Sequence, residues 1–299
     1  MNPGCVINVP DDIISVEGLT VRFGDFTAVD NIDLTVKRGE IYGFLGPNGA
    51  GKTTTCRAVT TMRKPTSGKI VIDGHDVSKE PREARALIGV CQQNLALDVD
   101  ISIRENIISK AVLHQVPLKE LERRTKELSD IIGLTPYLDK LPRDLSGGWK
   151  RKTVILCALI HNPSILFLDE PTAGLDTQSR HMLWDIIRIL NKRGTTVFIT
   201  THYMDEAESL CNRVSIITKG KIRATGTPKE LIEHFGAFTV EYEGPDGKRE
   251  SRFFSSRSEA KDFYSQVEHE GAVLRGTHLE DVFLEYSGKI DVSKLGEVI

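Results

Sequence analysis

The chain has 299 residues, 39% hydrophobic and 27% charged, which suits a soluble globular protein with one large domain and a smaller appendage. Its net charge of −3 gives no general pull toward nucleic acid or anionic lipid. Five scattered cysteines without a CxxC pair argue against a disulfide framework or a zinc site, and for free thiols.

Residues 1–12 form a short tail containing Pro and Asp. IISVEGLTVRF (13–23) and NIDLTV (31–36) read as strands, the second closed by the turn KRGE. IYGFLG (41–46) has the pattern of a fully buried strand and leads through PNGAGKTTTCRAVTTM into a glycine-rich turn and a helix. KIVIDG (69–74) is another short strand. Over about 95–145, Ser102 and Glu105 make a capping box and Leu121, Leu128 and Ile132 follow at helical spacing, predicting a helical subdomain. SILFLDEP (164–171) is a buried strand. TQSRHMLWDIIRILNKRG (177–194) is a helix with Leu183, Ile186, Ile187 and Leu190 on one face. TTVFITTH (195–202) and RVSIIT (213–218) are strands.

Composition shifts after about 235: a hairpin (238–254), a helix (258–270), a strand and a final helix, LEDVFLEYSG, predict a small α+β domain over 236–299. Alternating strands and helices in 13–235 imply a mainly parallel α/β sheet. No run approaches the roughly 18 apolar residues of a membrane span. The opening MNPGCVINVPDD lacks a signal-peptide pattern, so the chain itself is expected to be cytoplasmic.

GPNGAGKTT (46–54) matches G-x-x-x-x-G-K-[ST] between a buried strand and a helix, which is the context that gives the pattern its meaning. Across Gly46, Pro47, Asn48, Gly49, Ala50, Gly51, Lys52, Thr53 and Thr54, the glycines let backbone N–H groups wrap the phosphates of a nucleotide. Lys52 would bridge β- and γ-phosphate oxygens, and the Thr53 hydroxyl would ligate Mg²⁺. ILFLDE (165–170) delivers two carboxylates to the end of a buried strand, where ligands bind in open α/β sheets. Asp169 would hold Mg²⁺ through water and Thr53, and Glu170 would polarise an attacking water. An acidic pair can also merely end a strand; GPNGAGKTT weighs against that here.

LSGGWKRK (145–152) is an odd helix start, with two glycines and three cations where Asp or Glu would suit the dipole. Ser146, Gly147 and Gly148 offer a hydroxyl and unobstructed N–H groups, a second anion site that the cations of the next turn would suit. The competing reading is an ordinary Ser cap with lysines in water. A second anion site cannot easily serve the phosphate already cradled by 46–54. The economical arrangement is two chains facing each other, each closing its partner's nucleotide site.

GPNGAGKTT, LSGG, ILFLDE, GLD (174–176) and TTH (200–202) together resemble the nucleotide-binding domain of ABC ATPases, over about residues 13–235. The resemblance implies a P-loop NTPase core with a mainly parallel sheet, an N-terminal antiparallel β subdomain, the inserted helical subdomain and the small C-terminal α+β domain. It implies that ATP and Mg²⁺ are bound, that Phe23 stacks on adenine and that Gln93 senses Mg²⁺ and contacts a permease. It places Asp176 in a loop crossing the dimer interface and His202 at the γ-phosphate, holding Glu170 and water. Phe23 could instead be a core phenylalanine, and Gln92 is the register alternative to Gln93. The family usually follows LSGG with Gln; Trp149 stands here, to stack at the interface or simply to pack.

TPYLDKLPRDLSGGWKRK, PTAGLDTQSR and LEDVFLEYSG resemble the drug-resistance type of ABC exporter ATPase. That resemblance implies a homodimer driving a separate polytopic permease from the inner face of the membrane, with the segment 95–145 and Gln93 at the contact and no nucleic acid bound. The tail domain would regulate, stabilise the dimer or cover a sheet edge. A soluble mechanical ABC-superfamily ATPase acting on nucleic acid or ribosomes is the alternative; it would usually carry two such cores or a long coiled coil, and this chain has one core and no extended heptads. A nucleotide-gated regulatory module without useful hydrolysis is disfavoured by Glu170 and His202. A small-molecule kinase would not explain LSGG or GLD.

Overall fold

The computed structural model describes residues 11–94, 96–244, 247–267 and 271–287. Outside them fall residues 1–10 of the expected tail, the hairpin turn at 245–246, the end of the helix expected to reach 270, and 288–299.

Strand β1 (Asp12–Phe23) pairs antiparallel with β2 (Phe26–Lys37), which starts earlier than the apolar pattern suggested. On its other side β1 pairs with β4 (Ser67–Ile72), and β4 with the short β5 (His75–Asp76), giving an antiparallel sheet of order β2-β1-β4-β5. The second sheet has the order β10-β9-β3-β8-β7-β6. It comprises β3 (Ile41–Leu45), β6 (Ile88–Cys91), β7 (Ile165–Asp169), β8 (Thr196–Thr201), β9 (Arg213–Thr218) and β10 (Lys221–Gly226). All its pairings are parallel except β9 with β10. β3, β7 and β8 are buried throughout, which explains their near-continuous apolar sequences.

Alternation sorts the central side chains between two faces. Tyr42, Phe44, Phe167 and Phe198 point toward the antiparallel sheet, and their rings meet at centroid distances of 5.2–5.8 Å. Ile41, Leu45, Leu166, Leu168, Val197 and Ile199 face the helices. α1 (Lys52–Val59) follows β3, and α2 (Pro81–Ala86) precedes β6. α3 (Ile103–Leu113) opens with the expected Ser102–Glu105 capping box, and α4 (Leu118–Ile132) buries Leu121, Leu128 and Ile132. α5 (Gly147–Leu159) and α6 (Thr177–Lys192) pack on the sheet, α6 burying Trp184 beside the four expected residues.

After β8 come α7 (Met204–Leu210) and, beyond β10, α8 (Pro228–Phe235). The chain then forms a three-stranded antiparallel sheet of order β12-β11-β13, from β11 (Phe238–Glu243), β12 (Arg249–Phe254) and β13 (Val273–Gly276). α9 (Arg257–Gln266) covers it, and α10 (Leu279–Ser287) buries Leu279 and Val282 in the core shared with β9 and α8. The four described cysteines are free and buried, and among the described residues no helix is long and apolar enough to cross a membrane.

Candidate nucleotide site

β3, β7 and β8 run parallel, with Leu45 opposite Thr201 and Asp169 opposite Thr200. The loops leaving their carboxyl ends therefore converge, as in other open α/β sheets. After β3 the chain must pass close to its neighbours. A Cβ on Gly46 would fall 2.5 Å from the Ile217 carbonyl oxygen, and one on Gly51, at φ 109°, would fall 2.6 Å from that of Ala28. The Lys52 side chain folds back over this loop, and its Nζ donates to the carbonyls of Gly46 (2.8 Å) and Pro47 (3.2 Å). Burial lowers its pKa, while the charges of Glu170 and Asp169 oppose the shift.

At the end of β7, Asp169 accepts a hydrogen bond from the Thr200 hydroxyl and a long one, 3.4 Å, from that of Thr53. Glu170 has φ 48°, in the left-handed region that non-glycine residues rarely adopt, and its N–H donates to the Thr200 carbonyl at 3.0 Å. That backbone setting turns the Glu170 carboxylate inward, 8% exposed. Oε1 lies 3.4 Å from Lys52 Nζ and 3.2 Å from His202 Nδ1, and Oε2 accepts from Gln93 Nε2 at 3.2 Å. The His202 approach is close in distance but lacks hydrogen-bond alignment. Three loops thus deliver an ammonium, an imidazole and an amide to one carboxylate.

The two glutamines separate clearly: Gln93 reaches Glu170, whereas Gln92 points at the Met62 sulfur. Phe23 is 46% exposed and so is not a core phenylalanine. A cleft of about 550 Å³ is walled by Phe23, Asn48, Lys52, Thr53, Glu170 and His202, among others. The oxygen donors of Thr53 and Asp169 suit an oxygen-seeking divalent ion such as Mg²⁺. Among the described residues no His, Cys, Asp or Glu cluster would hold a metal by itself, so such an ion needs phosphate or water oxygens as well.

Ser146, Gly147, Gly148 and Asp176 are not among the walls of that cleft. Ser146 is the N-cap of α5, yet its exposed hydroxyl makes no capping bond. Asp176 caps α6 through the N–H (2.8 Å) and hydroxyl (2.7 Å) of Ser179, bonds that lower its pKa. A Cβ on Gly148 would meet that same Ser179 hydroxyl oxygen at 2.9 Å, so the two segments abut.

The cations after the glycines do not face an anion as a group, contrary to expectation. Arg151 turns inward and donates to the carbonyls of Gln92 (2.7 Å) and Gln93 (3.0 Å). Lys152 lies over the Trp149 ring at 4.1 Å, and Trp149 packs on Tyr137 at 4.3 Å. Burial, which the sequence could not show, redirects both cations. Thr200 and Phe26 escaped the sequence reading, and Arg151 figured there only as one of the cations after the glycines. Thr200 was visible only as the middle of TTH, while Phe26 pairs with Phe23 across their hairpin and joins it in the cleft wall.

The sequence profile of the family described as ABC transporter matches residues 29–173. The daunorubicin resistance ATP-binding protein DrrA3 of Streptomyces coeruleorubidus is 40% identical over 231 residues, covering 77% of this chain and 73% of that protein. The Nod factor export ATP-binding protein I of Burkholderia lata is 38% identical over 299 aligned positions, covering 94% and 97%. Among solved structures, a dimeric ATP-binding cassette in a post-hydrolysis state with ADP and Pi superposes with a TM-score of 0.65 at 25% identity, covering 72% of this chain and 98% of that one.

Proposed function

Because this chain belongs to the ABC transporter family, as an ATP-binding subunit of the drug-resistance exporter type, we propose that it hydrolyses ATP in a head-to-tail dimer to drive export through a separate membrane permease. The observation that carries the catalytic part is the Glu170 carboxylate, hydrogen-bonded by Gln93 and approached within 3.4 Å by Lys52 and 3.2 Å by His202.

Glu170 accepts a proton from water as the water oxygen attacks the γ-phosphorus. The bond from that phosphorus to the bridging oxygen breaks, and its electron pair leaves on ADP. His202 and Gln93 hold the carboxylate and the water in line. Lys52 takes up charge on the phosphate oxygens. Mg²⁺, held by Thr53 and, through water, by Asp169 with Gln93 nearby, would neutralise further oxygen charge when bound. Phe23 offers its exposed ring to the adenine.

The second half of each site comes from the other chain. Ser146 keeps its hydroxyl free of its own helix, and with Gly147, Gly148 and Asp176 it stands outside the cleft around Lys52. These residues serve the partner's γ-phosphate, and opening and closing of the dimer switches the permease. Residues 13–235 act as the ATPase domain and 236–299 as an appended domain, whose helix α10 packs on α7, α8 and β9. The segment 95–145 carries the permease contact; through Arg151 its following helix holds the backbone of Gln93, linking that contact to Glu170.

Tagged purification from detergent-solubilised membranes, followed by mass spectrometry, tests this reading. A stoichiometric polytopic partner that stimulates or restrains ATP turnover is the expected result. Recovery on ribosomes or DNA without such a partner would overturn it.

A further inference from the structure

The ring of Phe23 has a cation behind it. The chain leaves α1 through Thr61, whose φ of 62° is rare for a β-branched residue, and the Arg63 N–H donates back to the Arg57 carbonyl at 3.0 Å. This reversal carries Arg63 to the end of β1. Its Nη2 donates to the carbonyl of Arg22 at 3.1 Å, and the guanidinium carbon lies 3.6 Å from the centroid of the Phe23 ring. The hydrogen bond of its Nη2 goes to a backbone carbonyl rather than to a carboxylate, and its buried Nε finds no acceptor. The charge therefore acts on the ring. Phe23 and Phe26 wall the cleft around Lys52, whereas Arg63 stacks on the Phe23 ring without lining that cleft.

We infer that Arg63 is a positioning residue for the nucleotide base, acting through Phe23. The inference rests on the reading that Phe23 stacks on the base. It adds a reason why a half-exposed ring on a hairpin tip presents one fixed face. A guanidinium stacked on one side, tied to the adjacent carbonyl, removes the ring's freedom to rotate before any base arrives. It also draws π density toward itself, leaving the opposite face better suited to an electron-rich purine. An aromatic backed in this way favours large, electron-rich bases over pyrimidines.

The test compares Arg63→Ala, Arg63→Lys, Phe23→Ala and the Arg63→Ala/Phe23→Ala double variant. Dissociation constants are measured for ATP and for inorganic tripolyphosphate, which has no base, together with kcat and KM for ATP and UTP. Removing Arg63 should weaken ATP about 2- to 5-fold, the scale of a partly exposed cation–π contact, and raise KM more for ATP than for UTP. Tripolyphosphate affinity and kcat should not move, Arg63→Lys should recover part of the loss, and Arg63→Ala should add nothing in the Phe23→Ala background. Equal weakening of ATP and tripolyphosphate would make Arg63 a general electrostatic contributor and overturn the inference, as would unchanged or tighter ATP binding, or additivity with Phe23→Ala. If Phe23→Ala itself leaves ATP and tripolyphosphate in the same ratio, the base-stacking reading fails and the inference with it. If only the Arg63 variants are silent, base stacking stands and Arg63 has no part in it.

Discussion

Lys52 Nζ and Glu170 Oε1 lie 3.4 Å apart, with both side chains less than a tenth exposed. Glu170, proposed as the base, therefore partly neutralises the ammonium of Lys52, proposed to hold phosphate. A buried cation with a partial counter-charge attracts an incoming anion less than a bare one. Glu170→Gln should lower turnover by at least 100-fold and leave ATP affinity equal or tighter, giving an ATP-stabilised dimer. Phosphate release and light scattering with ATP read both effects. Normal hydrolysis in this variant would remove Glu170 from the role of base. Lys52→Ala should weaken a fluorescent ATP analogue by at least tenfold.

Thr200 donates its hydroxyl to the Asp169 carboxylate, and its backbone carbonyl receives the Glu170 N–H. The strand register sets it opposite Asp169 and against Glu170, two acidic residues proposed to have different duties. Thr200→Val keeps the shape and the carbonyl but removes the donor to Asp169 and, at 3.2 Å, a second acceptor of the Glu170 N–H. A hydrogen bond to a charged group contributes about 1.5–3 kcal/mol, so kcat should fall about tenfold or more. The Mg²⁺ concentration for half-maximal activity should rise, because the freed carboxylate no longer points toward Thr53. A magnesium titration that superposes on that of the unaltered protein would show that Thr200 merely packs.

The parts legible in the sequence were those dictated by local rules. GPNGAGKTT needs its glycines whatever surrounds them, and the runs before Gly46 and Asp169 could only be buried strands. The Ser102 box and the apolar face of α6 were equally local. The strand Ile88–Cys91 was not legible, because it is four residues long and carries a glycine. Tertiary packing sets that glycine: a Cβ on Gly89 would fall 2.2 Å from the Ala158 carbonyl oxygen. The helix Pro228–Phe235 was overlooked although Thr227, Pro228 and Glu230 spelled a capping box. The roles of Arg151 and Lys152 depended on which way α5 faces the sheet, and charge alone does not reveal that.

His161 couples the helical segment to the sheet and makes stability depend on pH. Its ring stacks on His114 at 3.7 Å, its Nε2 meets the Ile88 carbonyl at 3.0 Å, and its buried Nδ1 has no partner. Burial, then the nearby His114, brings its pKa down from 6.5 to about 4, with Arg124 adding to the shift and the Ile88 carbonyl opposing it. An imidazole depressed in the folded state is protonated first in the unfolded chain. Between pH 6.5 and about 4 the unfolded state therefore binds more protons, and stability falls as pH falls. Urea unfolding at pH 7.5 and pH 5 should show the unaltered protein losing on the order of 1 kcal/mol more than His161→Phe, after allowance for solvent screening. Identical losses in the two proteins would mean that His161 does not carry this dependence.

Trp149 occupies the position where the family usually has Gln, directly after the glycines assigned to the partner's phosphate. Its ring is engaged within its own chain, between Tyr137 at 4.3 Å and the Lys152 ammonium at 4.1 Å. The atoms proposed to meet phosphate belong to Ser146, Gly147 and Gly148, and none of them depends on the indole. Trp149→Gln should then cost stability, about 0.5–1.5 kcal/mol for the aromatic pair with further loss from the cation contact. Its ATPase rate should stay within about threefold of the unaltered protein at temperatures well below unfolding. Tyr137→Leu should give a similar stability loss, and combining the two changes should cost less than their sum, because they remove one contact. A large drop in kcat for Trp149→Gln with unchanged stability would place the indole in the dimer interface and end the packing account.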